Sequence, residues 1–351
     1  MALRFAPERG RGFVSDGQSS TVTIFDLKTL KPIADVPTGK KPDAIIYDPA
    51  TSKVFAFNGG SDSATAIDAA TGKVAGTVDL GGGPEFAAAD GNGFVYDNPE
   101  DESLVLKIDS RTLKVEQRWP TAPCASPSSM AMDRANRRLF LGCRSKVMAV
   151  MNADTGQVIT TLPIGDHVDA TAFDLETKLI FNSNGEGTVT VIHQEGPDKY
   201  SVVETVKTLP RAKTMALDPK THQLFLATAE AGQFEALVVE KYRGAGSSVY
   251  SSMTFRRRSF PHTLLLLCAG ATLLGLTGCT KKSSAQTSTV DLQLKVSAPF
   301  RFVAYGILAS MIPKIRRRRT LRCVWRWCRP SREPILRLYA SLATSFTTAT
   351  I

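Results

Sequence analysis

The chain is poor in the groups that catalytic motifs are built from. It has four histidines in 351 residues, and none stands in an H-E-x-x-H pair. No G-x-S-x-G elbow or phosphate-cradling glycine loop is present, which excludes the zinc hydrolases, serine hydrolases and P-loop nucleotidases that such motifs mark. Gly81-Gly82-Gly83 runs into Pro84 and reads as turn punctuation. Of six cysteines only Cys124 and Cys143 precede residue 253. The apolar stretch from Thr263 to Leu276 is too short to predict a membrane-spanning helix. Acidic residues nearly vanish late in the chain, where Glu333 alone follows Asp291.

That last scarcity explains the net charge of +10. Residues 1–252 carry 26 Lys/Arg against 31 Asp/Glu, whereas residues 253–351 carry 17 against 2. The larger part is mildly acidic, so the basic balance belongs to the tail and does not argue for a nucleic-acid partner of the whole.

What is present is a repeat. TVTIFDLKTLK (21–31), ATAIDAATGK (64–73), LVLKIDSRTLK (104–114), MAVMNADTGQ (148–157) and VTVIHQEGPDK (189–199) align on Asp26, Asp68, Asp109, Asn152 and His193, with spacings of 42, 41, 43 and 41. Short alternating runs at a period of 40 to 45 residues are the signature of propeller blades. Each unit divides into four strands. The innermost read ALRFA (2–6), DAIIYD (43–48), EFAAAD (85–90), SMAMD (129–133), DATAFD (169–174) and TMALD (214–218). They are rich in alanine, as strands converging on an axis require. The third strands alternate and are β-branched, as half-buried strands are. Asp68 to Gly72 and Asn152 to Gly156 read as hairpin turns, the side chain closing the turn and glycine supplying positive φ. The prediction is an all-β fold: a β-propeller of four-stranded blades, about five and a half of them over residues 1–243, plus a non-propeller tail. Trp119 and the turn residues His193 and His222 are read as packing and solvent-facing groups.

TIFDLKTLKPIADVPTGKKPDAI (23–45), AIDAATGKVAGTVDLGGGPEFA (66–87) and MNADTGQVITTLPIGDHVDATAF (151–173) resemble the YVTN-repeat (YncE-like) β-propellers of bacteria over roughly residues 2–241. The resemblance implies a seven-bladed, periplasmic or secreted ring. Some members serve as scaffolds, some neighbour redox or cofactor-assembly systems, and some related propellers are lactonases. It also implies a signal peptide, a ring-closing strand and about one blade upstream of Met1. The last unit shows three strands, ending in EALVVEKY (235–242).

From residue 253 the text changes, after a linker at 244–252. MTFRRRSFPHTLLLLCAGATLLGLTGCTKKSSAQ (253–286) resembles a bacterial lipoprotein signal, with Cys279 as the residue to be lipidated. Placed internally, it reads as the start of a fused second reading frame or as an internal membrane anchor, and a membrane partner follows only if that segment acts as one. Residues 287–351 read as a basic, disordered or out-of-frame tail, with neither helix nor strand periodicity beyond Pro299. Arg316 to Arg319, and Cys323 and Cys328 around Val324-Trp325-Arg326-Trp327, lack a second ligand pair for zinc. No cofactor, metal or catalytic residue is predicted.

Two constellations remain. Cys124 and Cys143 flank one inner strand, and are either a disulfide formed in an oxidising compartment or two buried thiols. The residues opening successive inner strands, Asp43, Glu85, Ser128, Asp169 and Thr214 with His167 beside them, would ring one mouth of the central channel. Three carboxylates there would focus a negative field and favour a cation or a basic partner; the alternative is solvated loop-end charges that never meet. The function predicted is non-enzymatic binding of a protein or small ligand at that mouth. The second reading is a lactonase-like enzyme or a subunit assisting a quinoprotein or haem system.

Overall fold

A computed structural model describes residues 2–230, 233–241, 253–258, 288–294 and 336–342. Six antiparallel four-stranded sheets follow one another, each a meander. The first contains β1 (Leu3–Ala6), β2 (Arg11–Asp16), β3 (Thr21–Asp26) and β4 (Pro32–Pro37). The second contains β5 (Pro42–Asp48), β6 (Lys53–Asn58), β7 (Ser63–Asp68) and β8 (Val74–Asp79). In the third are β9 (Pro84–Ala89), β10 (Phe94–Pro99), β11 (Leu104–Asp109) and β12 (Lys114–Pro120). The fourth has β13 (Pro127–Asp133), β14 (Arg138–Cys143), β15 (Val147–Asn152) and β16 (Val158–Pro163). Next come β17 (Val168–Asp174), β18 (Leu179–Asn184), β19 (Thr188–Gly196) and β20 (Lys199–Lys207). The sixth has β21 (Thr214–Asp218), β22 (Gln223–Glu230), β23 (Gln233–Lys241) and β24 (Met253–Arg258). Among the described residues the one helical element is a 3-10 turn, Pro7–Arg9. Apart from these sheets, β25 (Ser288–Leu294) and β26 (Leu336–Leu342) form an antiparallel pair of their own.

Two expectations are corrected. The structure has six complete four-stranded blades, not five and a half. Met253–Arg258, read from sequence as the basic start of a signal segment, pairs along β23 from Ala236↔Arg258 to Lys241↔Met253 and completes the last blade. The reason is physical: outer strands carry little apolar alternation, as the largely exposed β4 and β8 show, so such a strand is hard to tell from a polar linker. Beyond Pro299, Leu336–Leu342 forms a strand where no periodicity was found. Cys279, the Arg316 to Arg319 run, Cys323 and Cys328 lie outside the described residues.

The core is made of layers between blades. Phe13, Val22 and Ile24 of the first blade pack on Ile45, Tyr47 and Val54 of the second. Phe55, Phe57 and Leu80 then meet Ala87, Val95 and Leu106 of the third. Further layers join the third to the fourth, the fourth to the fifth and the fifth to the sixth. At roughly 25 cal/mol per Å² of apolar surface buried, these faces supply the main stabilisation.

The turns behave as the residues dictate. Asp26 Oδ1 accepts from the backbone N–H of Thr29 at 2.6 Å and Asp68 Oδ1 from that of Thr71 at 2.7 Å. Those hydrogen bonds hold both carboxyls below the usual aspartate range. Gly72 and Gly156 take φ of 76° and 73° there, while Leu30 and Leu113 hold 58° at the same step of their turns. Each third-to-outer strand pair of the first five blades carries a bulge at the same place. Repetition of this kind sharpens the twist of every blade alike.

Aspartates ending the inner strands tie neighbouring blades. Asp48 Oδ2 accepts from Ser110 Oγ at 2.5 Å, and Asp90 Oδ2 pairs with Arg137 at 2.8 Å. Asp133 Oδ2 accepts from Gln194 Nε2 at 2.9 Å, and Asp174 Oδ2 lies 2.7 Å from His222 Nδ1. Each tie crosses from one blade to the next, and all four aspartates are buried. His222, read from sequence as a solvent-facing turn residue, is thus half-buried and an inter-blade partner.

Candidate functional site

Inner strands β1, β5, β9, β13 and β17 converge, and between them lies a cavity of about 290 Å³. One rim is formed where these strands begin. There the pairing of inner with second strand slips in four successive blades. Asp43 and Ala44, then Glu85, Ser128 and Asp169, are the residues left out of register. A bulge frees a side chain from the pleat and re-aims it. The positions singled out from sequence are therefore bulge positions, except Thr214, which pairs regularly with Ala227, and His167, which precedes β17.

Geometry then separates them. Asp43 and Asp169 both act on Glu85: burial first, then these two carboxylates, push its carboxyl above the usual glutamate range, against Arg144 and Lys213. Glu85 thus lies within the fields of both Asp43 and Asp169. Asp169 is also paired with Lys213 Nζ at 2.6 Å, and Arg144 is paired with Glu100. Ser128 is buried and donates its hydroxyl to Val168 O at 2.8 Å, so it joins blades instead of facing a ligand. His167 is exposed, has φ of 58° and leans on Asp166, 3.2 Å from Nδ1. Thr214 is exposed on the last blade.

Behind the rim stands a group the sequence reading missed. Asp97 on β10 is fully buried, and neither carboxyl oxygen has a hydrogen-bond partner among the described residues. Burial, then Glu85, pushes its carboxyl well above the aspartate range. The register places it where other second strands carry Val14, Ala56, Leu141, Asn182 and Leu226. An acid among mostly apolar equivalents was the available signal.

Cys124 and Cys143 form a disulfide, Cα atoms 5.6 Å apart, closing the loop into β13. Trp119 stacks on Tyr96, centroids 6.4 Å apart, and so packs rather than offering a platform. Among the described residues no cluster of three or more His, Cys, Asp or Glu could hold a metal ion, and no helix is long and apolar enough to cross a membrane.

Consecutive four-stranded sheets, inner strands about a shared cavity and apolar layers between blades define a β-propeller. No family model and no curated protein sequence matches the chain. Solved structures share the fold. A Desulfotomaculum acetoxidans protein described as functionally unknown matches with a TM-score of 0.60 and 12% identity, over 73% of this chain and 87% of that one. The β-propeller domain of Cps50 (Swd1) from Myceliophteria thermophila matches with 0.59 and 15%, over 72% and 84%. Kuenenia stuttgartiensis hydrazine synthase matches with 0.57 and 16%, over 68% and 75%. At such identities the likeness establishes the fold and leaves the chemistry to the site.

Proposed function

We propose that this propeller is a binding scaffold of the YVTN-repeat type whose acidic channel mouth receives a cationic group of a protein or small-molecule partner. The observation that carries this is the half-buried Glu85 carboxyl, standing at a bulge matched by those of Asp43 and Asp169 and raised above its usual range by burial first and then by the charges of those two acids. A cation placed there relieves repulsion among the three acids, so binding gains more than it would from a lone surface carboxylate. The layered blades fix the strand beginnings that carry the three acids. The Cys124–Cys143 disulfide supports an extracytoplasmic home, since such bonds persist in oxidising compartments.

The test is fluorescence anisotropy of a labelled tetralysine peptide with the full chain at low ionic strength. Binding should weaken at least tenfold in Asp43→Asn/Glu85→Gln/Asp169→Asn. Glu85→Gln should cost more than Glu116→Gln, an equal charge change on exposed β12. Equal losses from the two single variants would show that overall charge, not the mouth, does the binding.

A further inference from the structure

The cavity itself has the opposite character from its acidic rim. The register aligns Arg4 of β1 with Ile46, Ala88, Ala131, Ala172 and Ala216 of the other inner strands. A guanidinium thus occupies a wall position that every other blade fills with an apolar, mostly small side chain. Arg134 joins it from the residue after β13, at the end of the inner strands away from the acids.

Both guanidiniums are positioned through one nitrogen. Arg4 Nε donates to Ile45 O at 3.3 Å, and Arg134 Nε donates to Ala89 O at 2.8 Å. Neither forms an ion pair with a described residue, whereas Arg137, Arg138 and Arg144 all do. Burial, then the charge of Arg134, lowers the pKa of Arg4, as expected for two cations side by side with no counter-ion between them. Each terminal pair of nitrogens is therefore left without a protein acceptor among the described residues. Forked donors in that state match the geometry of carboxylates. The remaining wall side chains are apolar except Thr171, with Phe86 and Met132 the large ones not fully buried, and the volume has room for roughly ten water-sized groups.

We infer that this cavity binds a small organic dianion, two carboxylates forked onto Arg4 and Arg134 and a short hydrocarbon spacer against Phe86 and Met132. The inference does not depend on the acidic mouth, since it concerns the other end of the inner strands and a ligand of opposite charge. The test is calorimetric titration of the full chain with succinate and with glutarate in a low-chloride buffer, with neutral glutaramide as control. Saturable binding of at least one dicarboxylate is expected, with a matching rise in melting temperature. Arg4→Gln and Arg134→Gln should each weaken binding about tenfold or more and together abolish it. Lys199→Gln, an equal charge change on exposed β20, should leave it unchanged. Arg134 is exposed, so its variant reports even if Arg4→Gln folds poorly. No saturable binding of either dicarboxylate, equal binding of glutaramide, or retained binding by a folded Arg134→Gln would overturn the inference.

Discussion

Replacing Asp97 with asparagine should stabilise this protein, and by an amount that grows with pH. In an unfolded chain an aspartate releases its proton near pH 3.9. In the folded protein burial and the Glu85 carboxylate raise that value well above the ordinary range. Below about pH 3.9 the side chain is protonated in both states, so its ionisation costs nothing. Above that, the unfolded chain releases a proton that the folded chain keeps. Wild-type stability then falls by about 1.4 kcal/mol per pH unit until the folded group also ionises. Asparagine removes this dependence at nearly constant volume. The gain of Asp97→Asn over wild type should therefore widen as pH rises above about 4, until the folded carboxyl also ionises. Asp97→Leu, which installs the side chain that β14 and β22 carry at the same register position, should follow the same trend. Urea unfolding at each pH, at fixed ionic strength, gives the difference directly. A gap between variant and wild type that is independent of pH, or that narrows from pH 4 to pH 7, would refute the reasoning.

Three further outcomes follow from the packing. Breaking the Cys124–Cys143 disulfide, by reductant or by a double serine variant, should cost about 3 kcal/mol and lower the melting temperature, because it frees a loop spanning a sequence separation of 19. A Cβ added in Gly156→Ala would run into the Trp119 ring at a positive φ of 73°, so a loss of about 2 kcal/mol or more is expected in denaturant melts. His222→Ala leaves the buried Asp174 carboxylate short of its 2.7 Å partner and should cost about 1–3 kcal/mol. His222→Gln, matching the use of Gln194 at Asp133, should recover part of that loss in the same melts.

The parts of the fold legible in the sequence were those under the strongest physical constraint. Third strands such as Thr21–Asp26 alternate because one face packs on the next blade, and the Asp-x-x-Thr turns recur because their hydrogen bonds are local. Inner strands were legible through their alanines, which the crowding about the channel demands. Outer strands answer to neither rule. β24 therefore passed for the charged start of something else until its pairing with β23 was seen.

The site divides along the same line. Counting along the repeats gives Asp43, Glu85 and Asp169 equivalent positions, and the bulges at which they stand recur at matching places. Ser128 had the same address, but its hydroxyl serves the neighbouring strand. That use is invisible without coordinates, because it depends on a carbonyl forty residues away. Arg4 and Asp97 went unnoticed for the opposite reason. Each breaks the repeat, and only comparison position by position with the other blades makes a single charge conspicuous.

The central claim is that Asp43, Glu85 and Asp169 act together as the docking point for a cation. The most direct measurement is zero-length carbodiimide cross-linking of the tetralysine peptide to the full chain, with the modified residues identified by mass spectrometry. The account predicts amide links concentrated on these three carboxylates and suppressed by added salt. Links spread over exposed acids of the outer strands and turns, Glu116 and Glu176 among them, with the mouth no more labelled than the rest, would contradict it.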